Sequence, residues 1–261
     1  MRVTPVLAAL GAAALLRAAA APAQEETRTG SPAAQMQGMS YAEMARMMEM
    51  NDAAAFGKLL VDQFEWRTGD GAQGPAWDAQ GWYGSDYNKA WIKTQGVRLG
   101  SVTEDARAEL LWDRIFSRWW SSQLGGRHDF GNGPARDWLA LGVEGLAPYF
   151  FRIEATAYVG DAGRTAARLR AEYELLLTQR ILLQPELEVN AYGKDDPERK
   201  IGAGFSDLQL GLRLRYEIRR ECAPYVGLAW FHRLGKTADL AREAGQDPSV
   251  LQFVAGIRFW L

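Results

Sequence analysis

Six thioethers stand within fifteen residues of this chain, at Met36, Met39, Met44, Met47, Met48 and Met50. The only other methionine is Met1, and the 211 residues after Met50 contain none. Methionine that serves packing is scattered through a core as a flexible gap filler. Here no Leu, Ile or Val occurs between Glu26 and Lys58, so the sulfur arrives without the aliphatic neighbours of a buried face. A neutral, soft, polarisable donor selects soft metal ions, Cu(I) above all. The chemistry these six residues offer is therefore ligation of copper as Cu(I). Ser40-x-x-Glu43 has the spacing of a capping box, and a helix from Tyr41 to about Asn51 would place Met44, Met47 and Met48 on one face. On spacing alone such a stripe reads as packing, and Glu43 and Glu49 read as solvated helix charges.

The flanking sequence says where this segment works. Arg2 followed by an apolar, Ala-rich stretch from Val3 to Leu16 and by Ala21-Pro22-Ala23 has the form of a secretory signal. The apolar run is broken at Arg17 and falls short of the roughly 20 residues of a spanning helix. The expected organisation is a signal peptide over 1–23, a Met-rich leader over 24–55 that is flexible or weakly helical and lies in the periplasm, and one domain over 56–261. The single Cys222 cannot form an internal disulfide. Zinc-type Cys/His spacings, a phosphate loop, a dinucleotide fingerprint and a Gly-x-Ser-x-Gly elbow are missing from the sequence. A net charge of -2 gives no reason to expect nucleic acid as a partner.

What must carry the leader is visible as strict alternation. Over 151–159 the odd positions are apolar and the even ones mostly polar; the same holds for 167–175, for 183–191 and, with even positions apolar, for 208–216. Period two over nine or ten residues is a strand signal, and its length suits the 9 to 11 tilted residues of a membrane-crossing strand. The polar positions repeatedly hold full charges: Arg152, Glu154, Arg168, Arg170, Glu172, Glu174, Glu186, Glu188, Arg213 and Arg215. An apolar outer face with a charged, closed interior describes an outer-membrane barrel, in which closure removes every unpaired edge from lipid. The reading is all-β: a transmembrane antiparallel barrel of about twelve strands, at 58–67, 76–84, 89–99, 106–114, 120–129, 137–145, 150–159, 164–176, 181–192, 204–217, 223–233 and 250–261. Links after even strands are short. Those after odd strands read as longer, at 68–75, 131–136, 193–203 and 234–249, with the four-residue turn at 160–163 as an exception. In bacterial barrels the short turns and both termini lie on the periplasmic side. Phe253, Ala255, Ile257, Phe259 and Leu261 alternate to the last residue, and aromatics cluster at segment ends, as in Trp119-Trp120 and Tyr149-Phe150-Phe151, where interfacial belts sit.

Three blocks carry a resemblance to a known family: Tyr87-Asn88-Lys89-Ala90-Trp91-Ile92-Lys93, the stretch from Gly145-Leu146-Ala147-Pro148-Tyr149 through Ala157-Tyr158-Val159-Gly160 to Leu177-Thr178-Gln179-Arg180, and Gly211 to Ile218. With these the chain resembles the copper resistance protein B family of bacterial outer membranes over most of 56–261. The resemblance implies a Met-rich periplasmic leader joined to a barrel, and a role in copper tolerance beside a periplasmic multicopper oxidase. Leaders of this family often mix His with Met, whereas this one has no His, which argues against Cu(II). The resemblance, the export signal and the missing aliphatic residues together turn the methionine stripe from packing to copper binding.

The two histidines, His128 and His232, fall near the long-loop ends of strands five and eleven, where His128 with Asp129 forms a candidate rim metal site. A solvated surface histidine is the plainer reading. The interior charges are expected to pair across strands and fill a narrow lumen, with Leu212 and Leu214 facing lipid and Arg213 the lumen. Cys222 reads as incidental. Two other functions compete: a general porin or structural barrel without a metal role, and an outer-membrane hydrolase, for which no triad pattern is visible.

Overall fold

The alternating segments fold into twelve antiparallel strands in the structure, a computed structural model that describes Ser40, Glu43 and residues 54–69, 72–100 and 102–261. The strands are β1 (Phe56–Gly69), β2 (Ala72–Gly84), β3 (Asn88–Leu99), β4 (Val102–Ser117), β5 (Trp120–Gly131) and β6 (Arg136–Ala147). They continue as β7 (Phe151–Gly160), β8 (Thr165–Glu172, resuming at Leu175–Leu176), β9 (Ile181–Tyr192), β10 (Gly204–Tyr216), β11 (Cys222–Arg233) and β12 (Ser249–Trp260). Each pairs with its neighbour in sequence. The ring closes between β1 and β12, from Leu60↔Trp260 to Thr68↔Phe253, so no strand edge is left for lipid.

The faces follow the alternation. Leu212 and Leu214 on β10 are 44% and 42% exposed, while Arg213 between them is 1% exposed. That fixes the register: apolar side chains outward, charges inward. The buried polar residues outnumber the buried apolar ones, which inverts a soluble domain and suits a wall whose outer surface is solvated by lipid.

Three details depart from the sequence reading. The link expected at 68–75 is shorter, because β1 and β2 pair from Phe56↔Gly84 to Gly69↔Ala72, with one register shift between Val61 and Gln63, and only residues 70–71 remain between the two strands. Pro75 is tolerated there because the β2–β3 ladder begins only at Ala76↔Val97, so the prolyl nitrogen has no partner to lose on that side. β8 is interrupted at Tyr173 and Glu174. Pro185 on β9 faces this gap without an N–H to donate, and its carbonyl accepts from Tyr173 N at 3.2 Å. The link at 234–249 contains a helix, α1 (Gly235–Glu243), which buries only Thr237, Ala238 and Ala241. Such small residues give little apolar periodicity in the sequence.

Candidate functional site

Of the Met-rich segment the structure describes Ser40 and Glu43, and they form the reciprocal capping box. Ser40 N and Oγ donate to Glu43 Oε2 at 2.9 and 2.8 Å, and Glu43 N donates back to Ser40 Oγ at 3.4 Å. Hydrogen bonding from Ser40 holds the Glu43 carboxyl below its usual range. Met36, Met39, Met44, Met47, Met48 and Met50, the copper ligands expected from the sequence, lie outside the described residues.

The lumen holds the other chemistry-bearing groups. Period two brings one charge from each of several strands to the same height, and they neutralise one another across the bore. Arg213 is the hub: its Nε donates to Glu65 Oε2 at 2.9 Å, Nη1 to Glu186 at 2.5 Å and Nη2 to Gln63 at 2.9 Å. Tyr225 caps Glu65 from β11 at 2.9 Å. A second hub, Arg170, meets Asp78 at 2.5 Å, Glu172 at 2.7 Å and Glu186 at 3.0 Å. Lys93 bridges Glu144 and Glu154 at 3.0 and 3.1 Å, and Glu154 also pairs with Arg168. Arg107 holds Glu188 at 3.1 Å, and Arg258 holds Asp62 at 2.7 Å. Nine of the ten charges expected to face inward belong to this interior; Glu174, at the interruption of β8, is exposed, with its side chain 50% accessible, although it pairs with Arg215 at 2.5 Å. Sequence reading did not single out the partners supplied by β1 to β5, such as Glu65, Asp78, Lys93 and Arg107; their strands alternate less cleanly, although the period was there to be read.

Little space remains. A void of about 30 Å³ lies among Asp78, Lys93, Arg107, Glu154, Arg168 and Arg170, room for about two waters. Glu109, which lines this void, has a buried acceptor oxygen without a partner, Oε2, suited to such a water. Toward the long-loop end an aromatic group closes the bore: Trp138 and Tyr192 meet with ring centroids 6.3 Å apart, and the Arg127 guanidinium lies 4.6 Å over Tyr158.

The rim site expected from His128 and Asp129 is not formed. Neighbours on a strand point to opposite faces, and Asp129 turns inward to Arg127 at 2.6 Å and Trp138 Nε1 at 2.8 Å. His128 faces outward and its Nδ1 lies 2.7 Å from Asp137 Oδ1 on β6, a cross-strand partner that a linear reading passes over. His232 stacks on Trp230 at 5.2 Å, and Cys222 is a free, half-buried thiol at the terminal-side end of β11. Among the described residues, no three His, Cys, Asp or Glu side chains converge as a metal site.

A filled twelve-strand barrel is a fold that can serve many functions. The family model described as copper resistance protein B precursor (CopB) matches residues 55–261. Copper resistance protein B of Escherichia coli is 44% identical over 211 residues, spanning 81% of this chain and 71% of that protein. The chain belongs to the copper resistance protein B family. A copper resistance protein B homolog of Pseudomonas syringae pv. tomato (strain ATCC BAA-871 / DC3000) agrees, at 43% over 212 residues, 81% of this chain and 72% of its own length. Membership supports a role in copper resistance. Among solved structures, the NanC porin matches with a TM-score of 0.53 at 12% identity, covering 78% of this chain and 99% of the porin. That likeness concerns the fold alone: the barrel of this chain resembles that of an outer-membrane porin.

Proposed function

We propose that this chain is a non-enzymatic copper-binding protein that takes up Cu(I) in the periplasm through Met36, Met39, Met44, Met47, Met48 and Met50, with the barrel of 56–261 anchoring that leader in outer-membrane lipid. Sequestration is the mode the lumen supports. The bore is filled by mutually bonded charges around a void of about 30 Å³, and passage of an ion through it requires those pairs to part. The six thioethers are enough for on the order of one or two soft ions. They carry no proton to lose, so binding persists in mildly acidic medium where imidazole and thiolate sites weaken. A periplasmic multicopper oxidase is the partner proposed to act on the same copper pool.

Replacing all six methionines with Leu keeps the bulk and removes the sulfur. The expected result is loss of Cu(I) binding by the mature protein and loss of copper tolerance in cells, with the barrel intact. Unchanged stoichiometry and protection would overturn the proposal. The porin fold favours one competing reading, a general barrel without a metal role, under which deleting 36–50 changes nothing about copper.

A further inference from the structure

Connecting two neighbouring strands takes about two to five residues, yet the β9–β10 link uses eleven, 193–203, and folds on itself. Asp196 N donates to Ile201 O at 2.8 Å and Ile201 N returns to Asp196 O at 3.0 Å, around a 3-10 turn at Pro197–Arg199. The tip then reaches the opposite wall. Arg136, at the start of β6, forks onto Asp196 with Nε–Oδ2 at 2.9 Å and Nη2–Oδ1 at 3.2 Å, and reaches Glu198 at 2.8 Å. Arg199 donates to the Pro134 carbonyl at 2.9 Å and to Asp105 at 3.2 Å. Asp105 lies on β4, six strands from β10 in the ring, so the loop crosses the mouth. Gly133 lets it lie close: at φ 102° a Cβ there would stand 3.1 Å from Glu198 O.

The near end is held as well. Thr237 Oγ1 on α1 accepts from Gly202 N at 2.9 Å and lies 3.1 Å from Ser206 Oγ, and Lys236 pairs with Asp195. Under the loop, Ile201, Asp129, Trp138 and Tyr192 leave a void of only about 10 Å³.

We propose that residues 193–203 form a strap that seals the long-loop mouth of the barrel, latched to the far wall by Arg136 and Arg199 and able to release as one unit. The Arg136–Asp196 fork is shielded, with side chains 13% and 9% exposed, while Glu198 and Asp105 at its edge are 68% and 71% exposed, so water reaches the latch from its rim and replaces these outer contacts at small net cost. The seal below it is a thin layer around Ile201. The device is independent of where copper is bound.

A reporter under the strap tests this. Ala166 is 9% exposed and packs with Trp138 and Tyr158. In the full chain, in detergent, Ala166→Cys with Cys222→Ser places one thiol there, probed with a charged methanethiosulfonate. The parent is expected to react slowly. Arg136→Ala with Arg199→Ala, and the milder Asp196→Asn, should each react at least tenfold faster, while the exchange Arg136→Asp with Asp196→Arg returns the rate toward the parent. Heat-modifiable gel migration reports an intact barrel in each variant. Fast reaction in the parent, or one rate throughout, overturns the strap; if the double variant does not fold, Asp196→Asn carries the decision.

Discussion

The lumen and the leader divide the chain's polar chemistry between them in opposite ways. Inside the barrel the donors are hard, charged and bound to one another, with Arg213 alone joined to Glu65, Glu186 and Gln63. In the leader the donors are soft, neutral and concentrated in fifteen residues. A hard interior whose charges are mostly bound to one another offers little to a soft ion, whereas a thioether has no competing partner among charges. On the function proposed above, copper is held outside the bore, and the charges inside serve as the barrel's core.

The contrast is broken most severely at its hub. Arg213→Leu leaves Glu65 with only Arg67 and Tyr225 and Glu186 with only Arg170 and Gln63, and removing one member of a buried ion network costs about 3–5 kcal/mol. A urea titration in lipid or micelle should show it as a large loss of midpoint. On the opposite face, Leu212→Arg puts a charge toward lipid and costs about 2–4 kcal/mol at mid-membrane, read by the same titration. If Arg213→Leu is instead nearly neutral, the lumen is wet and the pairs are not the core.

At the mouth the contrast sharpens with pH. Hydrogen bonds from Arg136, then the charges of Arg136 and Arg164, hold the Asp196 carboxyl below its ordinary 3.8. A depressed carboxylate contributes its stability above that ordinary value and loses it as pH falls through the lower, folded one. Spin labels at Lys200→Cys and Asn132→Cys, in a Cys222→Ser background, should therefore sit close at pH 6 and separate reversibly only as the pH is taken below the ordinary 3.8. The smallest effect lies at the terminal-side turn, where Tyr149 and Phe150 take φ of 65° and 66°. Phe150→Gly removes a left-handed backbone cost of about 1–2 kcal/mol against roughly 0.5–1 kcal/mol of extra chain entropy lost by glycine, so the urea midpoint in micelles should rise only slightly.

Much of this was legible because lipid enforces period two so strictly. From Phe151 to Tyr216 the alternation of single residues located the strands, their register and the inward set of charges. The strands of the first half were placed but their partners were not, since Gly74 and Pro75 read as loop while pairing with Arg67 and Trp66. Asp137 as the partner of His128 required knowing which residues lie across the ladder. The strap was invisible for the same reason: Arg199 and Asp105 are 94 positions apart, and nothing local marks either as a latch. The methionines were conspicuous through composition alone, which needs no fold.

Ring closure between β1 and β12 has a kinetic consequence. Glu65 meets Arg213 across 148 positions and Gln63 meets Glu186 across 123, so these bonds join the two arms of the chain and await the meeting of its ends. Until then each of these side chains keeps its water. Expulsion of that water and the last strand pairing should be one late event in assembly, with a rate set by the slow search for distant contacts, and the charged interior then becomes the part of the molecule that records whether the ring has shut.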